Sequence, residues 1–411
     1  MDSRLKDIVS PDQFDLNFLI HNARDTNIIR ELLLTREGKD LLTHVLPGYM
    51  IGEFFWQESS RTYHSFAAAG EHLGARVKDE RGVKRTKVKN GARTVKWELI
   101  FSSEMKDAHL EDEVRAWASF YDALILRTPE EGMVARIINI LREFGYDAPV
   151  ISAGDGKGHH PTQSLLDAYV LPGSLGLDIE KDWKLLSSHR VAFVGDGGSR
   201  VVHSLAPIFG KIFKMPISFI TPKGLGAPAW LLKDLKSANV DYEERDTLRD
   251  ASVYYVIRLQ DEYLKKAKNA SVLQNYYSIT KKVADQYNVR IVMHPFPRSK
   301  TGNELPIWLP SDPKTHEVSL DKDPRAFYFY QMFVGMPVRM ALLKYLLNPY
   351  LDLKKLKEER LIRQIRSQCV SCNRIEYHEL GWAEYPPACG YIQTLPHIFC
   401  PKCQPPSGFH L

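Results

Sequence analysis

Four short clusters in this 411-residue chain carry side chains suited to gripping an anion, and each follows directly on an apolar run. Ser59-Ser60-Arg61-Thr62 stands between a strand-like run and an apparent helix. Free backbone N–H groups at a helix start, three hydroxyls and one guanidinium together make a phosphate receptor. Arg127 closes the run DALILR (Asp122–Arg127) at a strand's end, where a cation can face a cleft. Gly154-Asp155-Gly156 leads through His160-Pro161-Thr162-Gln163 into a helical segment, SLLDAYVL. The glycine-rich loop, the helix start and the glutamine favour a ligand-facing His160. His294-Pro295-Phe296-Pro297-Arg298 has two prolines, which leave backbone carbonyls stiffly aimed and outside any ladder. Each cluster alone has an ordinary reading: serine-rich caps are common, and a lone histidine more often packs than catalyses. Together they read as the walls of one pocket.

The elements that must position these clusters show as an alternation. DALILRTPEEG, VAFVGDGGSRVVHSL, ISFITPKGLGAPAW, VYYVIRLQDEY and VRIVMHPFPR each run from a short apolar strand through a polar turn into a helix. That order predicts α/β architecture: two doubly wound parallel-sheet domains linked by helices. In such sheets ligands bind beyond the carboxyl ends of the strands, which is where the polar clusters fall. Before this region, residues 1 to about 50 read as helical, with Ser10-Pro11-Asp12 as a start signal, and Met50 to Trp56 as a strand. VKRTKVKNGARTVKWE, within residues 78–98, carries Asn90-Gly91 between alternating residues and predicts a β-hairpin with a type I′ turn. It is the most basic segment of the chain, and its lysines suit a solvated hairpin that resists edge pairing. Near the end, FYFYQMFVGMPVRMALLKYLL and then KKLKEERLIRQIR read as helices. The expected divisions are residues 1–155, 156–332 and 353–411, with a helix at 333–352 completing the first.

Composition excludes several classes. Hydrophobic residues at 44% and charged residues at 26% are ordinary for a folded protein and exclude global disorder. A net charge of +5 suits small anionic ligands and falls short of a dedicated nucleic-acid binder, so nucleic acid is not expected as a partner. No apolar stretch approaches membrane-helix length, and MDSRLKDIVSPDQFDL lacks the apolar core of a secretory signal, so a cytoplasmic protein without membrane attachment is expected. All five cysteines fall from Cys369 onward. Cys369/Cys372 and Cys400/Cys403 form two C-x-x-C pairs, 27 residues apart, which offer four thiolates to one tetrahedral zinc ion in a ribbon-like module. Cys389 and His397 are most simply non-ligands.

Taken in order, the motifs resemble the aspartate carbamoyltransferase catalytic chains of the aspartate/ornithine carbamoyltransferase family, over roughly residues 1–350. SSRT resembles the family's S-T-R-T, and AGDGKGHHPTQSLLD resembles A-G-D-G-x-x-x-H-P-T-Q-x-L-L-D; VGDGGSRVVHSL, VIRLQDE, HPFPR and YFYQMFVGMPVRMALL continue the match. Ornithine carbamoyltransferases typically carry H-C-L-P where this chain has HPFPR, so the resemblance implies aspartate as the acceptor. The implied reaction moves the carbamoyl group of carbamoyl phosphate to the amine of L-aspartate, a step of de novo pyrimidine biosynthesis, without a catalytic cofactor. By the resemblance, residues 1–155 would bind carbamoyl phosphate and 156–332 aspartate.

Carried over by motif, the carbamoyl phosphate site would comprise Ser59, Ser60, Arg61, Thr62, Arg127, His160 and Gln163, with the backbone of Pro295 and Phe296. The family borrows a serine and a lysine from a neighbouring subunit, here Ser102 and Lys106, which implies a homotrimer with shared sites. Aspartate would meet Arg200, Arg258, Gln260 and Lys106. Arg61, Thr62, Arg127, His160 and Lys106 would carry the catalysis. Some residues depart from the family pattern: Ser60 replaces threonine, Tyr63 an arginine, Gln57 a glutamate and Phe296 a leucine, the GDGGSR loop is one residue short, and the basic hairpin is an insertion. Two other readings stand beside this one: a paralogue with another amine acceptor, and a non-catalytic scaffold or nucleic-acid-binding protein using hairpin and ribbon.

Overall fold

The chain's apolar runs become buried strands, and its polar turns cap the helices that follow them. The structure is a computed structural model that describes residues 5–57, 59–81, 83–89, 92–98, 109–259, 277–298, 304–369, 375–377, 381–383 and 397–398. It divides into two units, Met1–Pro349 and Tyr350–Leu411.

In the first unit the expected start signal is real. Ser10 and Gln13 form a capping box around a short 3-10 turn, and Asp15 then accepts the Phe18 N–H at 2.7 Å to open α1 (Leu16–Leu32). Thr35 caps α2 (Arg36–Leu42) in the same way. The first sheet then assembles from β1 (Met50–Phe55), α3 (Ser60–His72) and β2 (Arg76–Arg81). A hairpin of β3 (Val83–Lys89) and β4 (Ala92–Glu98) follows, with Lys89 opposite Ala92, the register that the Asn90-Gly91 signal called for. Next come α4 (Leu110–Phe120), β5 (Ala123–Thr128), α5 (Met133–Glu143), β6 (Val150–Asp155) and α6 (Pro161–Ser174). The strand order is β2-β1-β5-β6, all parallel. Every residue of β5 and β6 is buried, as parallel strands covered on both faces must be.

The second sheet is built from β7 (Val191–Val194), α7 (Arg200–Pro207), β8 (Ile217–Ile220), α8 (Ala229–Ser237), β9 (Tyr242–Arg245), β10 (Val253–Val256), α9 (Lys281–Gln286) and β11 (Ile291–Met293). Its order is β11-β10-β7-β8-β9, again all parallel. Phe193 stacks with Phe209 and Phe219 across this core. After α10 (Pro313–Val318), the long helix α11 (Tyr328–Leu347) packs against α1, α3 and α6. It begins and ends five residues before the expected span of 333–352, because Asn348 leaves helical geometry ahead of Pro349 and its side chain donates to the Val45 carbonyl at 2.8 Å.

Each sheet has a point where successive connections turn to opposite sides. In the first it lies between β1 and β5, in the second between β7 and β10. Ligand crevices open at such switch points, beyond the strands' carboxyl ends. Among the described residues, no helix is long and apolar enough to cross a membrane.

In the second unit α12 (Leu353–Gln364) passes directly into β12 (Ile365–Cys369), so the charged helix expected through Arg366 stops two residues sooner, where Ile365 pairs with Tyr377. A small sheet of order β14-β13-β12-β15 adds β13 (Ile375–Tyr377), β14 (Gly381–Ala383) and β15 (His397–Ile398).

Candidate active site

Several of the residues singled out from sequence lie at or just beyond the strand ends of the two sheets: Arg127 stands near the end of β5, Gly154 lies in β6, and Arg200 opens the helix after β7. Ser59 is the N-cap of α3, but its hydroxyl donates to Thr62 Oγ1 at 3.0 Å and makes no capping bond to the helix backbone. The first N–H groups of α3 therefore go uncapped by Ser59, which suits an anion. Ser60 is exposed and Thr62 is buried. Arg61 lies over the Phe296 ring at 5.6 Å, which brings the SSRT and HPFPR clusters together across a long stretch of chain.

Arg127, the penultimate residue of β5, is buried and donates from Nη1 to the Ala153 carbonyl at 2.7 Å. Its Nε has no hydrogen-bond partner among the described residues. Gly154 has a φ of 129°, and a Cβ there would stand 2.6 Å from Arg127 Nη1 and 3.5 Å from Arg200 Nη1. The glycine lets two guanidiniums approach one stretch of backbone. Arg200 opens α7 and donates to the Gly156 carbonyl at 2.9 Å, so the shortened GDGGSR loop still reaches the first sheet's edge. His160 is the buried N-cap of α6; its backbone N–H donates to Ser204 Oγ of α7 at 3.3 Å, and its Nδ1 lies 3.5 Å from Thr162 Oγ1.

These charges are underneutralised. Burial lowers the pKa of Arg61, Arg127 and Arg200 alike. Arg127 falls furthest, to about 9, through burial first and then the repulsion of Arg200 and Arg61. Burial, followed by Arg200 and Arg127, holds His160 well below the usual histidine range, so it is a neutral imidazole with one N–H to offer. A cluster of depressed cations around a neutral donor calls for an anion.

Beyond β11, Phe296 adopts a left-handed φ of 53° and is joined to Pro297 by a cis peptide. Its N–H donates to His294 Nδ1 at 2.8 Å, and the His294 N–H donates to Gln331 Oε1 at 2.9 Å. The prolines have no N–H, so the loop has carbonyls to present. Arg298 is not available to a substrate: it forks Asp321 at 2.6 and 3.2 Å. Arg258 stands exposed two residues past β10. Gln163 donates from Nε2 to both carboxylate oxygens of Asp167, at 3.1 and 3.2 Å. Ser102, Lys106 and Gln260 lie outside the described residues, as do Cys372, Cys400 and Cys403; Cys369 ends β12. Among the described residues no group of His, Cys, Asp or Glu could hold a metal ion.

Sequence reasoning overlooked Ser204, Asp167 and Gln331. Asp167 and Gln331 had a usable signal: each is a polar residue on the buried side of a largely apolar helix.

Two family models match this arrangement: the aspartate/ornithine carbamoyltransferase carbamoyl-P binding domain over residues 7–172, and the Asp/Orn binding domain over residues 187–346. The chain belongs to the aspartate/ornithine carbamoyltransferase family. It is 34% identical over 310 residues to the aspartate carbamoyltransferase catalytic subunit of Methanothermobacter thermautotrophicus, covering 74% of this chain and 84% of the relative. Against the corresponding subunit of Methanocaldococcus jannaschii it is 30% identical over 351 residues, 84% of this chain and 98% of the relative. The solved catalytic subunit of M. jannaschii aspartate transcarbamoylase superposes with a TM-score of 0.67 at 28% identity, over 84% of this chain and 99% of that one. Aspartate transcarbamoylase from Trypanosoma cruzi, solved with carbamoyl phosphate and aspartate, superposes with a TM-score of 0.64 at 27% identity, over 84% and 96%. The first family model thus spans the first sheet and nearly all of α6, the second the other sheet and nearly all of α11.

Proposed function

We propose that this chain is an aspartate carbamoyltransferase, which forms N-carbamoyl-L-aspartate and phosphate from carbamoyl phosphate and L-aspartate. The observation that carries the reading is geometric: Arg127 and Arg200 both approach Gly154, His160 is buried, and Arg61 lies over Phe296 of the HPFPR loop. In the reaction the amine lone pair of aspartate forms a bond to the carbamoyl carbon, and the bond from that carbon to the phosphate oxygen breaks with its electrons. The leaving phosphate takes the amine's proton, so no protein base and no covalent intermediate is needed.

Thr62, Arg127 and His160 donate to the carbonyl oxygen as charge develops there, a role worth ~3–4 kcal/mol per donor. A neutral His160 polarises the carbonyl without giving up its proton. Arg61 holds the departing phosphate, helped by Ser59, Ser60 and the start of α3. Gln163 and the Pro295 and Phe296 carbonyls accept from the carbamoyl amide. Arg200, Arg258 and Gln260 receive the two carboxylates of aspartate, for which forked guanidiniums suit better than point charges. Ser102 and Lys106 come from a neighbouring subunit, which makes the working unit a homotrimer; residues 1–155 serve carbamoyl phosphate, residues 156–332 aspartate, and the protein acts in the cytoplasm. Carbamoyl-aspartate formation by the purified chain, run beside a panel of other amines and with its mass in solution, is the test. Turnover with another amine and none with aspartate overturns the acceptor; an active monomer overturns the shared site.

The tail is proposed to hold structural zinc. Supporting it, Cys369 pairs with Ile398 between parallel strands, so the chain leaves β12 toward Cys372 beside the point where it leaves β15 toward Cys400 and Cys403. Two C-x-x-C pairs offer four thiolates, the donor set of a closed tetrahedral site, and such a site would add folding energy to the unit that holds it. Elemental analysis should find one zinc per chain, lost on Cys369→Ser; a metal-free chain of unchanged stability ends the idea.

A further inference from the structure

Asp167 is buried in α6, and four donor contacts converge on its carboxylate. Gln163 Nε2 reaches Oδ1 at 3.1 Å and Oδ2 at 3.2 Å, Gln331 Nε2 of α11 reaches Oδ1 at 2.6 Å, and the Tyr255 hydroxyl of β10 reaches Oδ2 at 2.7 Å. A carboxylate only accepts hydrogen bonds, so it dictates which end of each neighbouring amide faces it. Gln163 and Gln331 must both turn their nitrogens to Asp167 and their oxygens away. For Gln331 the result is visible: its Oε1 accepts the His294 N–H at 2.9 Å, and His294 in turn accepts the Phe296 N–H. For Gln163 it leaves Oε1 as the end free to accept from a ligand at the start of α6, one turn from His160.

We propose that Asp167 is a positioning residue that fixes the polarity of the carbamoyl-amide pocket, orienting Gln163 directly and the Pro295–Phe296 loop through Gln331 and His294, so that the pocket presents acceptors to an NH2 group. This deepens the reading of carbamoyl phosphate as the substrate and rests on it. Burial raises the Asp167 pKa to about 6 despite these donors, so a proton gained there in mild acid would turn an acceptor into a donor and set it against Gln163 or Gln331. Tyr255, Gln331 and Arg339 face the same carboxylate from β10 and α11.

The test exchanges donor and acceptor. Asp167→Asn keeps one acceptor, at the Oδ1 position that Gln331 holds most closely at 2.6 Å, and puts an NH2 group at the Oδ2 position, 3.2 Å from Gln163 Nε2; that donor-to-donor contact drives Gln163 to flip and turn its own NH2 toward the ligand. The KM for carbamoyl phosphate should rise about five- to tenfold, the equivalent of one lost hydrogen bond between neutral groups. The double variant Asp167→Asn with Gln163→Glu restores the pattern, since the carboxylate now at position 163 accepts from the amide at position 167 with one oxygen and faces the ligand with the other. Its KM should return to within about threefold of the unmodified chain, roughly 0.65 kcal/mol. A double variant no better than Asp167→Asn overturns the proposal, because a merely structural role gives no reason for recovery. If Asp167→Asn does not fold, Gln163→Glu alone decides. There one carboxyl must keep a proton for the pair to bond, so its carbamoyl phosphate KM should be lower in mild acid than at higher pH, a rise that the unmodified chain does not share; a profile no steeper than that of the unmodified chain overturns the idea. Lack of carbamoyl transfer by the unmodified chain would instead refute the substrate reading.

Discussion

The strand ends of the two sheets are finished to different degrees. At the first, Thr62, Arg127 and His160 are all buried, locked by bonds to Ser59, the Ala153 carbonyl and Ser204. At the second, Arg200 is half-buried and braced on Gly156, while Arg258 stands exposed. The first region is pre-organised for an anion even at the cost of crowding like charges; the second keeps its outer cation in water. The lesson is about order. On the proposed function, carbamoyl phosphate can bind before anything moves, whereas aspartate has to draw Arg258 out of solvent, most readily once a bound anion has relieved the repulsion among Arg61, Arg127 and Arg200.

Three measurements would break or sharpen this contrast. Arg127→Ala removes a donor from the dry side and should lower kcat about 10²–10³-fold, the usual cost of a missing oxyanion donor; a loss of only a few-fold would mean that the buried cluster is not where charge develops. Arg258→Ala should act mainly on aspartate, raising its KM about 10–100-fold, in keeping with a lost charged hydrogen bond, while carbamoyl phosphate binding stays nearly unchanged. Equal damage to both substrates would erase the distinction between the two ends. Inorganic phosphate alone should raise the melting temperature, by the equivalent of about 2.7 kcal/mol at a hundredfold excess over its Kd, and aspartate alone should do much less. Burial and the repulsion of Arg200 and Arg61 press on the charge of Arg127, and a bound anion relieves that repulsion, which is why phosphate should stabilise this end. Depression of His160 keeps it neutral at pH 7, so histidine titration should not cut binding between pH 7 and 8. Phosphate stabilisation that changes steeply between pH 7 and 8 beyond the titration of phosphate itself would contradict the neutral His160.

Much of this was legible in the linear chain, for identifiable reasons. β5, β7, β8, β10 and β11 showed as apolar runs because strands buried on both faces have no polar alternation to confuse them. The β3–β4 hairpin showed through its two turn residues. β2 did not show, since RVKDER is a polar edge strand that merges by composition into the basic hairpin after it. The partner of Arg298 did not show either, because a cation after a strand looks the same whether it faces a ligand or is paired with a distant Asp321. Asp167 escaped because its importance lies in partners 88 and 164 residues away.

What the sequence by itself determined was chemistry and its local setting: which side chains can grip an anion, that each follows a strand, and that the strands run parallel. Local rules suffice there, since strand burial, capping and turn formation depend on a few neighbouring residues. What only the tertiary structure decided was which of those groups meet, which are spent on structure, and what their charges become. Arg127 and Arg200 share Gly154, Arg298 is consumed by Asp321, and His160 is neutral, because distance and burial between remote segments set both pairing and pKa.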